Sequence, residues 1–229
     1  MMKSCLLFSA LFAASSLSLK ADASAPIDPK AYDHPVRVAC VGDSITQGGR
    51  NGKYPSMLQE MLGEGWKVSN FGHSGHTLLK KGDKPYWKSK RYQQALESKP
   101  DVVIIKLGTN DTKPQNWKFK DEFVADYTEL VESFLKLESK PKVYVCLPCP
   151  VVGKGNWGIN EPNIQIEIPW VKAIAKEKGL SIIDMHAPLK DKPELIPDRV
   201  HPNGDGYRIM AATAFTALTG KPAPEPAAK

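Results

Sequence analysis

Apolar positions along the chain fall into two alternating kinds of run. Short blocks at 36–41, 67–70, 101–107, Lys142–Leu147 and 180–183 read as strands. The third, Asp101-Val102-Val103-Ile104-Ile105-Lys106-Leu107, is nearly continuous, the pattern of a strand covered on both faces. Between these blocks the apolar spacing changes to three and four. Met57, Leu58, Met61 and Leu62 predict a helix over Tyr54–Leu62, and Phe123, Tyr127, Leu130, Phe134 and Leu137 predict another. Further helices are expected over 88–98, up to Lys178 with a kink at Pro169, and over 205–218. Five strands alternating with helices predict an α/β fold, a three-layer α/β/α sandwich around a parallel sheet. Right-handed crossovers then put every loop that follows a strand on one edge of the sheet. Those loops carry Ser44, Gly75 and Asn110, and the loop before the last helix carries Asp198 and His201.

The N-terminus stands apart from this pattern. Lys3 precedes a mostly apolar stretch from Leu6 to Leu19, and Ala21-Asp22-Ala23 fits a small-x-small cleavage site. Residues 1–23 therefore read as a secretory signal peptide, which implies a secreted or periplasmic protein with no membrane insertion. Residues 24–35 read as a linker, 36–218 as one domain and 219–229 as a Pro/Ala-rich tail. The formal charge is +6, and loss of Lys3, Lys20 and Asp22 lowers it by one. That excess is spread without a dense run of like charge, so a solvated lysine-rich surface is expected and a nucleic-acid partner is not. Cys40, Cys146 and Cys149 would remain after cleavage, an odd count that does not suit a disulfide scaffold. Cys146 and Cys149 form C-x-x-C with Pro148 between them at a strand end, and are expected as buried small side chains.

The charge and the loops together narrow the chemistry. In Gly42-Asp43-Ser44 a serine sits where the first strand gives way to a turn, a position where open α/β sheets bind ligands. A serine hydroxyl needs a base to become a nucleophile, and histidine suits that task near neutrality. His201 lies in Asp198-Arg199-Val200-His201-Pro202, where Pro202 biases it to extended backbone and Asp198 can reach its other ring nitrogen. Attack on an ester creates an oxyanion; the backbone N–H groups of Ser44 and Gly75 and the Asn110 amide are candidate donors.

Four blocks in order now match a known family. Gly42-Asp43-Ser44, Asn70-Phe71-Gly72-His73-Ser74-Gly75, Gly108-Thr109-Asn110-Asp111 and Asp198-Arg199-Val200-His201-Pro202 resemble the sequence blocks of the SGNH hydrolases, also called the GDSL esterase/lipase family. The resemblance covers about residues 36–218 and implies a flavodoxin-like five-stranded parallel sheet of order 2-1-3-4-5. It implies Ser44, Asp198 and His201 as catalytic residues, Ser44, Gly75 and Asn110 as the oxyanion hole, and no metal or organic cofactor. His73 and His76 are expected as polar contacts near the site, Asp111 as a brace for the Asn110 loop, and Asp184 as a turn cap.

The substrate is less sharply marked. Trp87, Trp117 and Trp157 lie in loops among Lys, Gln and Asn, a mixture that suits stacking on a sugar, and Asp43 beside the serine is taken with them as substrate-binding. The loop Lys113-Pro114-Gln115-Asn116-Trp117 resembles the secreted bacterial carbohydrate-esterase branch, often assigned as sialate O-acetylesterases. The expected partner is thus an O-acetylated glycan, sialic-acid-bearing glycans among them, or another small ester. A lysophospholipase, thioesterase or arylesterase stays open, as does a glycan-binding module without catalysis. The oligomeric state is left open by the sequence.

Overall fold

The computed structural model describes residues 25–50 and 52–225. The expected signal peptide over 1–23 and the end of the tail lie outside them. Five parallel strands, β1 (Val36–Gly42), β2 (Trp66–Gly72), β3 (Val102–Lys106), β4 (Lys142–Leu147) and β5 (Ser181–Asp184), form one sheet in the order β2-β1-β3-β4-β5. The alternation of strand side chains divides the core in two. Val36, Val38 and Cys40 of β1 face Tyr54 and Leu58 of α2 (Tyr54–Leu62) and Tyr207, Met210 and Ala214 of α7 (Gly204–Thr219). Ala39 and Val41 face the other layer. That layer comprises Tyr92 of α3 (Lys90–Glu97), Tyr127, Leu130 and Phe134 of α5 (Phe123–Leu135), and Val171 and Ile174 of α6 (Glu161–Lys178). Two short helices, α1 (Ser44–Gln47) and α4 (Pro114–Trp117), follow β1 and β3 on the loop edge of the sheet.

Most predicted elements fall where the apolar spacing puts them; two local differences have physical causes. Strand β5 begins at Ser181 instead of Leu180, because the Leu180 N–H donates to the Ala175 carbonyl (2.8 Å) across the left-handed Gly179 (φ +64°) and so completes the end of α6. Residues 25–35 do not hang as a free linker. Ile27 is buried against the α2–α7 layer, its N–H donates to Leu218 O (2.8 Å), and Pro29–Ala31 forms a 3-10 turn. The helix in which Pro169 suggested a kink runs as one element, Glu161–Lys178. Cys40, Cys146 and Cys149 are buried free thiols, and burial pushes Cys40 up to about 12 and Cys149 up to about 11, which keeps them as unreactive core groups at neutral pH.

The loop edge is built by close backbone approach. Gly42 and Gly72 end β1 and β2 in register, and α1 rests directly on them. Asn70 ties the two together, donating to Thr46 O (2.9 Å) while its oxygen accepts from Gly72 N (2.9 Å). A β-carbon on Gly72 would come within 2.7 Å of Gln47 Cα, backbone that cannot rotate away. Gly72→Ala is therefore expected to lower the free energy of urea unfolding by about 1–3 kcal/mol, the usual cost of overpacking. An unchanged midpoint would show that α1 can lift off the sheet without cost.

Candidate active site

Ser44 is the first residue of α1, and the turn that presents it is set by its neighbour. Asp43 accepts the Ile45 N–H through Oδ1 (2.9 Å), capping the four-residue helix so that Ser44 stands free at its start. The partner loop precedes α7, which Asn203 caps by accepting from Gly206 N (3.0 Å). There Arg199 takes a left-handed backbone (φ +74°), and Asp198 Oδ1 accepts from both Val200 N (3.0 Å) and His201 N (2.6 Å). This fixes the ring of His201 between two oxygens. Its Nδ1 lies 2.8 Å from Asp198 Oδ2 and its Nε2 lies 2.8 Å from Ser44 Oγ. With Nδ1–H donated to the carboxylate, the Nε2 lone pair accepts from the serine hydroxyl, the arrangement needed to remove its proton.

The groups expected to receive an oxyanion share the same cleft. Ser44, Ser74, Gly75, Asn110, Lys113, Trp157, Ile159 and His201 line a space of about 200 Å³. Gly75 takes a left-handed backbone (φ +77°), and among the described residues its N–H and that of Ser44 meet no acceptor. Asn110 is buried; its side-chain amide donates one hydrogen to His76 O (3.1 Å) and keeps a second, while the Asn116 side-chain amide donates to the main-chain oxygen of Asn110 (2.9 Å). Asp111 accepts from Leu78 N (3.0 Å) and Leu79 N (2.7 Å), bracing the loop. Burial pushes that carboxyl up to about 7, with the backbone donors pulling the other way and Asp43 adding to the rise.

The other expected residues are divided. Trp157 reaches the cleft: it is 56% exposed, has φ +52°, and its ring centroid lies 5.4 Å from that of His201. Trp87 does not, since its indole N–H donates to Leu78 O (2.7 Å) and its ring packs on Tyr92. Trp117 does not either, because it stacks on Trp170 at 5.9 Å. Asp43 is wholly buried, its carboxylate occupied by Ile45 N and by Lys106 Nζ at 3.4 Å, so it faces the sheet and not a substrate. His73 and His76 stack on each other at 3.7 Å, and His73 Nδ1 lies 2.6 Å from Ser89 Oγ. Asp184 accepts from His186 N and Ala187 N, both at 2.9 Å, and so caps a turn. Among the described residues, no three His, Cys, Asp or Glu side chains cluster as a metal site.

One cleft residue and one group beneath the cleft escaped the sequence reading. Ile159 lies two residues beyond Trp157, and an isolated isoleucine carries no chemical signal. Lys106, 0% exposed beneath the site, was hidden inside an otherwise apolar strand; a charge in such a run is the signal that could have found it.

The electrostatics of Asp198 give a test. Burial opposes its ionisation, but the backbone donors of His201 and Val200 and the His201 ring outweigh it, so its carboxyl lies below the ordinary range. The unfolded chain then binds the proton more readily, so ionised Asp198 stabilises the fold above about pH 4 and that contribution is lost as pH falls through the lower folded-state value. Asp198→Asn is expected to be less stable than wild type at neutral pH, with a gap that narrows below about pH 4 in urea titrations. A gap independent of pH would overturn this account.

Known proteins resemble this chain in sequence and in fold. An acetylxylan esterase of Xylanibacter ruminicola is 40% identical over 215 residues, which cover 83% of this chain and 44% of that protein. The chain thus spans less than half the length of this curated relative. Among solved structures, the acetyl xylan esterase AlAXEase superposes with a TM-score of 0.65 at 26% identity, covering 80% of this chain and 100% of its own. Est24, a carbohydrate acetylesterase from Sinorhizobium meliloti, does so with a TM-score of 0.65 at 19% identity, covering 80% and 98%, and at that identity shares the fold alone. The GDSL-like lipase/acylhydrolase family matches residues 40–209, from the strand that delivers Ser44 to the helix behind His201, and the chain belongs to that family.

Proposed function

We propose that the protein is a serine esterase that removes O-acetyl groups from carbohydrate, acetylated xylan foremost, through an acyl-Ser44 intermediate. The observation that carries this is the continuous relay from Asp198 through His201 to Ser44, opening into a small cleft beside Gly75 and Asn110. His201 takes the Ser44 proton as Oγ attacks the acetyl carbonyl, and Asp198 steadies the imidazolium. The oxyanion draws hydrogen bonds from Ser44 N, Gly75 N and the free amide hydrogen of Asn110, each worth about 3 kcal/mol of barrier. His201 then returns its proton to the departing sugar hydroxyl, and water releases acetate with His201 again as base. A space of about 200 Å³ walled by Ser74, Gly75, Lys113 and Ile159 suits an acetyl group and offers no long apolar trench. The names of the Xylanibacter relative and of AlAXEase support acetylated xylan over sialic acid. The basic, apolar and small-residue pattern of 1–23 supports export, and among the described residues no helix is long and apolar enough to cross a membrane.

The deciding experiment is acetate release by wild type and Ser44→Ala from acetylated xylan, O-acetylated sialoglycan and a long-chain acyl ester. Acetate from xylan that disappears in Ser44→Ala is the expected outcome. Turnover of the long-chain ester alone would transfer the protein to the lipid side of its family, and no turnover would make it a binding module. The exposure of Trp157 beside the His201 ring supports a role in stacking on the sugar. Trp157→Ala should raise KM for acetylated xylan about ten-fold with kcat nearly unchanged, and leave p-nitrophenyl acetate unaffected. An equal loss on both esters would mean that Trp157 serves the His201 loop instead.

A further inference from the structure

The least expected group near the site is Lys106. It ends β3 in register with Gly42 and is 0% exposed, in a position where a leucine would continue the apolar run. A buried ammonium is costly unless it is paired and hydrogen-bonded. Its two partners are informative. Nζ lies 3.4 Å from Asp43 Oδ2 and donates to Thr109 Oγ1 at 2.6 Å. Asp43 is the cap of the turn that presents Ser44, and Thr109 immediately precedes Asn110. One side chain therefore joins the nucleophile's turn to the loop of the oxyanion amide.

Another buried carboxyl lies in the same region. Glu167 of α6 is 0% exposed beneath the same loop, and a β-carbon on Gly108 would come within 2.6 Å of its Oε2. Among the described residues neither of its carboxyl oxygens has a hydrogen-bond partner. Burial, reinforced by Asp111 and Asp43 against Lys106, holds Glu167 well above the ordinary carboxylate range. Glu167 thus feels the charges of Asp111, Lys106 and Asp43, and the ammonium itself lies 3.4 Å from Asp43 and 2.6 Å from Thr109.

We propose that Lys106 is a positioning residue for ester hydrolysis, a buried staple that sets the separation between Ser44 Oγ and the Asn110 amide. This rests on Ser44 being the nucleophile. The separation matters most when the tetrahedral oxyanion forms, because only then must one oxygen reach Asn110 while its carbon is bonded to Ser44. Loss of the staple therefore acts on kcat more than on KM, since it weakens an interaction made in the transition state. Thr109→Val removes the acceptor while keeping shape, and Thr109→Ser keeps the hydroxyl.

The test compares wild type, Thr109→Val, Thr109→Ser and Lys106→Met on p-nitrophenyl acetate, and times labelling of Ser44 by a fluorophosphonate. Thr109→Val should lose about ten-fold in kcat with KM within about two-fold, while Thr109→Ser stays near wild type. Lys106→Met should lose about 100-fold, the scale of a small misplacement of reacting groups, and its labelling should slow in parallel. A merely structural role predicts lower thermal midpoints with wild-type kcat and labelling in the folded variants, and that result overturns the staple. Should Lys106→Met fail to fold, the two Thr109 variants decide between the same outcomes. If wild-type Ser44 is neither labelled nor needed for turnover, the serine-esterase reading fails and the staple falls with it; brisk wild-type labelling with unaffected variants removes the staple alone.

Discussion

The hydrogen bond between Ser44 Oγ and His201 Nε2 joins side chains 157 positions apart in the chain, and the architecture can be understood as the means of closing it. A contact of such separation costs loop-closure entropy and gains little by itself, so larger surfaces must make it. Those surfaces are the apolar faces of α2 and α7, which pack together on one side of the sheet through Tyr54, Leu58, Tyr207 and Met210. With α7 seated there, its leading loop arrives beside the end of β1. Parallel strands do the rest, because every strand ends on the same edge and its loop must emerge there. The chemistry therefore depends on packing that contains no reactive group.

That division explains what was legible in the sequence. Strand and helix periodicity announced the sheet and its two covering layers, and polar residues at strand ends and in the loop before the last helix announced Ser44, Gly75, Asn110, Asp198 and His201 as neighbours. Their spacing in the chain carries this information because a turn needs glycine or a capping carboxylate at fixed offsets. Trp87 and Trp117 show the limit. An indole in a loop beside Lys and Asn reads the same whether it meets a ligand or, as here, Leu78 and Trp170. Asp43 shows another, since a carboxylate next to a nucleophile can point out to solvent or down into the sheet. Only the tertiary position of Lys106 decides that it points down.

Polar groups beneath the site follow a different economy from the apolar core. Asp111 spends its oxygens on the N–H groups of Leu78 and Leu79, and Lys106 spends its hydrogens on Asp43 and Thr109. Such contacts add little net stability compared with apolar substitutes, but they tolerate few alternative geometries. Precision at the loop edge thus comes from groups that solvent never meets. The glycines that let α1 rest on β1 and β2 serve the same end by removing side chains from the path of the backbone.

The loop after β4 has a separate character. It supplies Trp157 and Ile159 to the cleft wall, yet contributes nothing to the proton relay. Its hydrogen bonds to the Asp198–His201 loop end on main-chain oxygens, from Val152 N to Arg199 O (2.9 Å) and from the Asn156 side-chain amide to Asp198 O (3.3 Å), while Val151 and Ile159 pack on Val200. Backbone acceptors are indifferent to the side chains that surround them. The Val152 link, main chain to main chain, therefore does not depend on which side chain stands at Trp157. The outer wall of the cleft and the geometry of the relay are set by different atoms.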